Sequence, residues 1–143
     1  MKLILDTNVV SELIQPMGSV DIRAWLARQN RSELYITSVT QAELLYGIEI
    51  LPIGQRRQRL LDGTRRLFDQ YLADRILPFD HVAAEVYAQL AASRRRRGHP
   101  MSQFDGQIAA ICYVHQAGLA TRNVRDFLDC GIALVNPWEY KDD

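Results

Sequence analysis

The chain has 143 residues, 48% hydrophobic and 24% charged, with a formal net charge of zero. That length suits one domain whose core needs no disulfide or metal staple, so a single domain over residues 1–143 is expected, with no linker. No stretch approaches the roughly 18 apolar residues that span a bilayer. No leader pattern opens the chain, and the zero balance removes global charge as an argument for nucleic acid; the expected setting is the cytoplasm, with no membrane partner. The basic side is lopsided, fifteen Arg against two Lys, which leaves room for local arginine patches. Cys112 and Cys130 match no zinc or redox spacing and read as reduced thiols, and His81, His99 and His115 share no ligand spacing.

In chain order, Leu3-Ile4-Leu5 is an apolar run that stops at Asp6-Thr7-Asn8. Such a run fits a buried central strand of a parallel sheet, and these sheets bind ligands beyond the carboxyl ends of their strands. Asp6 therefore reads in two ways, as a site residue or as the cap of the next helix. Val9–Ile14 predicts a short helix ended by Pro16, and Ser19 to about Gln29 a second one. Leu34–Thr37 is a strand. Ser38-Val39-Thr40-Gln41 has the form of a capping box, which starts a helix at Ser38 running to Leu51 and sets Glu43 in its first turns. Glu43 there is either a charge at the positive end of a helix dipole or a second site acid.

Gln55–Tyr71 predicts another helix, with Leu60, Leu61, Leu67, Phe68 and Leu72 on its apolar side; Arg56, Arg57, Arg59, Arg65 and Arg66 read as a solvated face. Ile76–Phe79 is a brief strand, and Asp80 caps a long helix ending in Arg94-Arg95-Arg96-Arg97 before Gly98. Those four Arg suit the helix dipole and also make a patch able to hold RNA phosphates. Ser102-Gln103-Phe104-Asp105 opens the next helix in capping-box form, with Asp105 a third acid at a helix start. Gly118–Thr121 and Ala133–Val135 are the last strands, with a polar loop or short helix over 122–127 between them. Alternating strands and helices imply an α/β fold with a central parallel sheet flanked by helices and right-handed crossovers.

Asp6, Glu43, Asp105 and the Asn123/Asp126 pair then share one side of the sheet. Carboxylates converging in one pocket repel each other, and a divalent cation is the usual way to keep them ionised together. All-oxygen donors favour Mg²⁺ or Mn²⁺, which recruit phosphate oxygens, so phosphodiester hydrolysis is the chemistry to expect.

Taken together, Leu5-Asp6-Thr7-Asn8-Val9-Val10-Ser11-Glu12-Leu13, Thr40-Gln41-Ala42-Glu43-Leu44 with Tyr46-Gly47, Leu77-Pro78-Phe79-Asp80, Asp105-Gly106-Gln107-Ile108-Ala109-Ala110, Ala120-Thr121-Arg122-Asn123 and Asn136-Pro137-Trp138 resemble PIN-domain ribonucleases of the VapC type, in the FitB-like branch. The resemblance covers nearly everything from Leu3 to Trp138. It implies a three-layer PIN fold and Mg²⁺-dependent cleavage of single-stranded or loop RNA, with Asp6, Glu43 and Asp105 as the acidic set and Thr7, Asn8 and Thr121 as neighbours. It further implies a homodimer acting as the toxin of a toxin–antitoxin pair and inhibition by a cognate small antitoxin of the VapB or FitA kind.

The chain departs from the family pattern at one position. Where many members carry a fourth acid after Thr-Arg, Asn123 stands; it is expected to face the metal with the catalytic acids, holding a water or a phosphate-bound ligand without adding charge, and Asp126 is the alternative. Two competing readings are a non-catalytic PIN-like module that binds RNA or protein, and a phosphatase of the haloacid-dehalogenase type. The latter needs an acid at the position of Asn8 as proton donor.

Overall fold

The computed structural model describes residues 1–15 and 18–140. Its centre is β1 (Leu3–Leu5), buried along its whole length. β1 pairs in parallel with β2 (Leu34–Thr37) on one side and β4 (Gly118–Ala120) on the other. With β3 (Ile76–Leu77) and β5 (Leu134–Val135) at the edges, the parallel sheet runs β3-β2-β1-β4-β5.

Side chains alternate across a strand. Leu3 and Leu5 accordingly join a core with Val9 and Val10 of α1 (Thr7–Ile14), Ile22 and Trp25 of α2 (Val20–Ala27), and Phe68 and Leu72. Ile4 points the other way, to Ala83 of α5 (His81–Arg96) and to Ile108, Ala109 and Ile111 of α6 (Gln103–Val114). Helices therefore cover both faces, giving three layers. Ile4 and Leu5 are completely buried, each contributing about 1.5–3 kcal/mol by removal from water.

The remaining helices are α3 (Ser38–Glu49) and α4 (Gln55–Arg66), the latter running into a π-helical turn over Leu67–Tyr71. Element ends differ from expectation where tertiary contacts intervene. α1 starts at Thr7, not Val9, because Asp6 occupies its N-cap position. Its end at Ile14 precedes Pro16, which lies outside the described residues. α3 is capped one residue earlier than the capping box predicts. Thr37 Oγ1 accepts from the Thr40 N–H at 3.1 Å, which frees the Ser38 hydroxyl to accept from the Phe79 N–H at 3.1 Å across to the chain after β3.

Asp80 and Ser102 cap α5 and α6 as expected, through the N–H groups of Ala83 and Asp105. α5 ends in a Schellman motif: Gly98 at φ 79° lets its own N–H reach the Arg95 carbonyl and that of His99 the Arg94 carbonyl.

The four-arginine patch is not a patch of four. Arg94 is only 8% exposed. Its guanidinium donates to the backbone carbonyls of His99 at 2.8 Å, Asp126 at 3.3 Å and Leu128, so it ties the end of α5 to the turn over Val124–Phe127 and is not available to RNA. Arg95, Arg96 and Arg97 are exposed. Arg94→Met should therefore cost about 2–3 kcal/mol by stranding buried carbonyls, while Arg95→Gln stays within about 0.5 kcal/mol, read from urea unfolding midpoints.

Candidate active site

The strand order reverses between β1 and β4, so a crevice opens where their carboxyl ends diverge. Asp6 and Thr121 stand there. The Asp6 N–H still belongs to the sheet, donating to the Ala120 carbonyl at 2.9 Å, and Thr121 does the same to Val135. Both side chains are thus held by ladder geometry and not by a loop. Asp6 Oδ2 accepts from Thr121 Oγ1 at 2.7 Å and from Asn8 Nδ2 at 3.2 Å; Oδ1 accepts from the Thr7 N–H at 2.8 Å. Asp6 caps α1, as one sequence reading has it, and its carboxylate also stands in the crevice at the strand ends. Burial outweighs these three donors and pushes its carboxyl above the ordinary range.

Glu43 reaches the crevice from the first turns of α3. Thr7 Oγ1 donates to Glu43 Oε1 at 3.0 Å and lies 2.9 Å from Thr40 Oγ1, so Thr40 supplies the proton of that second contact. Thr40 belongs to the site and sequence reasoning missed it, although its place one turn before Glu43 carries the signal. Asp105 arrives from the start of α6. Burial raises both acids first, and each is raised further by the charges of the others: Asp6 and Asp105 act on Glu43, Asp6 and Asp126 on Asp105. Among the described residues the charges that act on the three are those of other acids, which raise them.

Asn8 is spent on scaffolding. Its amide nitrogen faces Asp6 and Thr121, and its oxygen accepts from the Arg122 N–H at 3.3 Å, so no proton donor stands where the phosphatase reading needs one. Asn123 contributes its backbone N–H to Thr121 Oγ1 at 3.0 Å, while its exposed side chain makes no hydrogen bond among the described residues. Asp126, also exposed, lies near enough to raise both Asp6 and Asp105.

The donors are all oxygens, which suits a hard divalent cation. Among the described residues no three His, Cys, Asp or Glu side chains close into a metal cage.

A carboxyl whose pKa is raised by folding favours the folded state below the unfolded value, and that contribution is lost as pH rises through the folded value. In EDTA, Asp105→Asn should thus raise the melting temperature at neutral pH and leave it unchanged below the ordinary carboxylate range, as scanning calorimetry at the two pH values would show.

Residues 3–130 match the PIN domain family model. The chain is 36% identical over 137 residues to the VapC ribonuclease Y4jK of Sinorhizobium fredii, covering 96% of this chain and 98% of that protein. It is 34% identical over 136 residues to Toxin FitB of Neisseria gonorrhoeae, covering 95% and 98%. A solved structure of FitAB bound to an IR36 DNA fragment superposes with a TM-score of 0.89 at 32% identity, covering 98% of each chain. The buried acid at the β1/β4 switch point, the order of the sheet and these likenesses agree: the chain belongs to the PIN-domain family.

Proposed function

We propose that the chain is a Mg²⁺-dependent ribonuclease that hydrolyses phosphodiester bonds of single-stranded or loop RNA, and that it acts as the toxin of a toxin–antitoxin pair. The observation that carries this reading is the convergence of Asp6, Glu43 and Asp105 on one crevice, close enough that their charges act on one another. The family placement supports it, through relatives that bear the names ribonuclease and toxin. Asp6, Asp105 and Glu43 would hold Mg²⁺ or Mn²⁺. The bound ion would supply Lewis-acid neutralisation of the phosphate and a more acidic attacking water.

The chain's own part is orientation. Thr121, Asn8 and the Thr7 N–H fix the Asp6 carboxylate, and Thr7 with Thr40 fixes Glu43, which is placed to receive a proton from water. A homodimer in the cytoplasm, and inhibition by a small antitoxin laying an Arg against these acids, complete the proposal; a guanidinium pairs two carboxylate oxygens at once.

Asp6→Asn and Asp105→Asn should each lower cleavage of a fluorophore–quencher RNA by at least about 100-fold, and EDTA should abolish it. Full activity in either variant would sink the site assignment, and binding without cleavage in the unaltered chain would favour the non-catalytic module.

In this reading the fourth charge is that of Asp126, since the Asn123 side chain is neutral and Asp126 is a further acid near enough to act on Asp6 and Asp105. Asp126→Asn should weaken Mn²⁺ binding in isothermal titration by about tenfold. A larger gain from Asn123→Asp than loss from Asp126→Asn would return the position to Asn123.

A further inference from the structure

The arginines of α4 look scattered in sequence but not in space. Arg56, Arg59, Gly63, Arg66 and Gln70 are spaced by three and four residues, so they form one stripe along α4 and the turn that continues it. That stripe borders three depressions of about 280, 230 and 560 Å³, which adjoin one another: Gln15 lines all three, Arg56 and Leu60 the first two, and Arg59 the second and third. The first begins in the candidate active site, at Thr7 and Glu43, and passes Arg56. The second lies between Arg56 and Arg59. The third and largest holds Arg59, Arg66, Arg23 and Arg31 and has no carboxylate in its lining.

Five of the chain's fifteen arginines therefore share one groove in a protein whose net charge is zero. Among the described residues none of the five pairs with a carboxylate; the exposed ion pairs are Arg57 with Glu49 and the N-terminal amine with Glu33. Arg23 and Arg31 are steadied through backbone carbonyls, Arg23 by Gln15 and Arg31 by Gln70 and Tyr71, and Arg31 also lies 4.0 Å from the centre of the Tyr71 ring. At Gly63 the stripe has no side chain, which keeps the floor of the largest depression open.

We propose that this groove is the track for the single strand that flanks the scissile bond, with Arg56, Arg59 and Arg66 meeting successive phosphates and Arg23 and Arg31 the far end. The track rests on the ribonuclease reading, to which it adds the path of the substrate. Charge complementarity selects a polyanion. Continuity with Glu43 selects the one whose backbone the acids would cut, and a depression between helices follows a flexible single strand better than a stiff duplex.

The test is fluorescence anisotropy with a labelled uridine RNA of about 12 nucleotides. It is run in EDTA so that no cleavage occurs, across a salt series. Arg59→Gln/Arg66→Gln should raise Kd about tenfold and make the slope of log K against log salt shallower by about 1.4, the loss of two single-strand phosphate contacts. Arg59→Lys/Arg66→Lys should restore most of the slope, because the track needs charge and not a particular fork. An unchanged Kd and slope would overturn the track, as would failure of the unaltered chain to bind the RNA in EDTA. So would release of a copurifying acidic protein by the Gln variant with RNA binding untouched, since the groove would then belong to that protein. Cleavage of the same RNA by the unaltered chain in Mg²⁺ is scored separately: the predicted binding shift without cleavage keeps the track and rejects the ribonuclease reading, and cleavage without the shift does the reverse.

Discussion

The contact between Asp6 and Thr121 holds the site together, because it joins the ends of two adjacent strands 115 residues apart in the chain. A carboxylate removed from water is costly even with three donors, and burial dominates its titration. The sheet accommodates that cost by fixing both partners through backbone ladder bonds, from Asp6 to Ala120 and from Thr121 to Val135. The site is therefore built on the buried centre of the sheet, with the fully buried Ile4 and Leu5 immediately behind it. A buried carboxylate in this position costs stability, which is the pattern expected where a site trades stability for function.

Around that contact the threonines act as a relay of orientation. Thr37 caps α3, Thr40 meets Thr7, and Thr7 meets Glu43. The cap that starts the helix thus also fixes where its first acid points. One residue inserted between Thr37 and Glu43 would rotate Glu43 by about 100° around α3, away from Thr7. Helix initiation and site geometry are one constraint here.

Charge is partitioned by the fold and not by the sequence. Acids collect at the carboxyl ends of the strands, whereas arginines of one residue type serve opposed ends. Arg94 is consumed in holding the turn that presents Asp126, and the α4 arginines stay exposed along a groove that starts at Glu43. A net charge of zero conceals both.

The sequence by itself determined the alternation of strands and helices, the burial of Leu3–Leu5, the capping of α5 by Asp80 and of α6 by Ser102, and the placing of Asp6, Glu43 and Asp105 at element ends. These are local patterns: an apolar run has one way to be buried, and a side chain caps a helix a few residues away. What only the tertiary structure decided needed partners distant in the chain. β4 lies beside β1 and so brings Thr121 to Asp6; Phe79 claims the Ser38 hydroxyl and moves the cap of α3 to Thr37; the carbonyls of Asp126 and Leu128 draw Arg94 out of its patch. The spacing of Arg56, Arg59 and Arg66 was visible as a helical stripe, but whether it faced open solvent or a groove depended on where α1 and α2 packed. Periodicity reports which residues share a face, and only packing reports what that face meets.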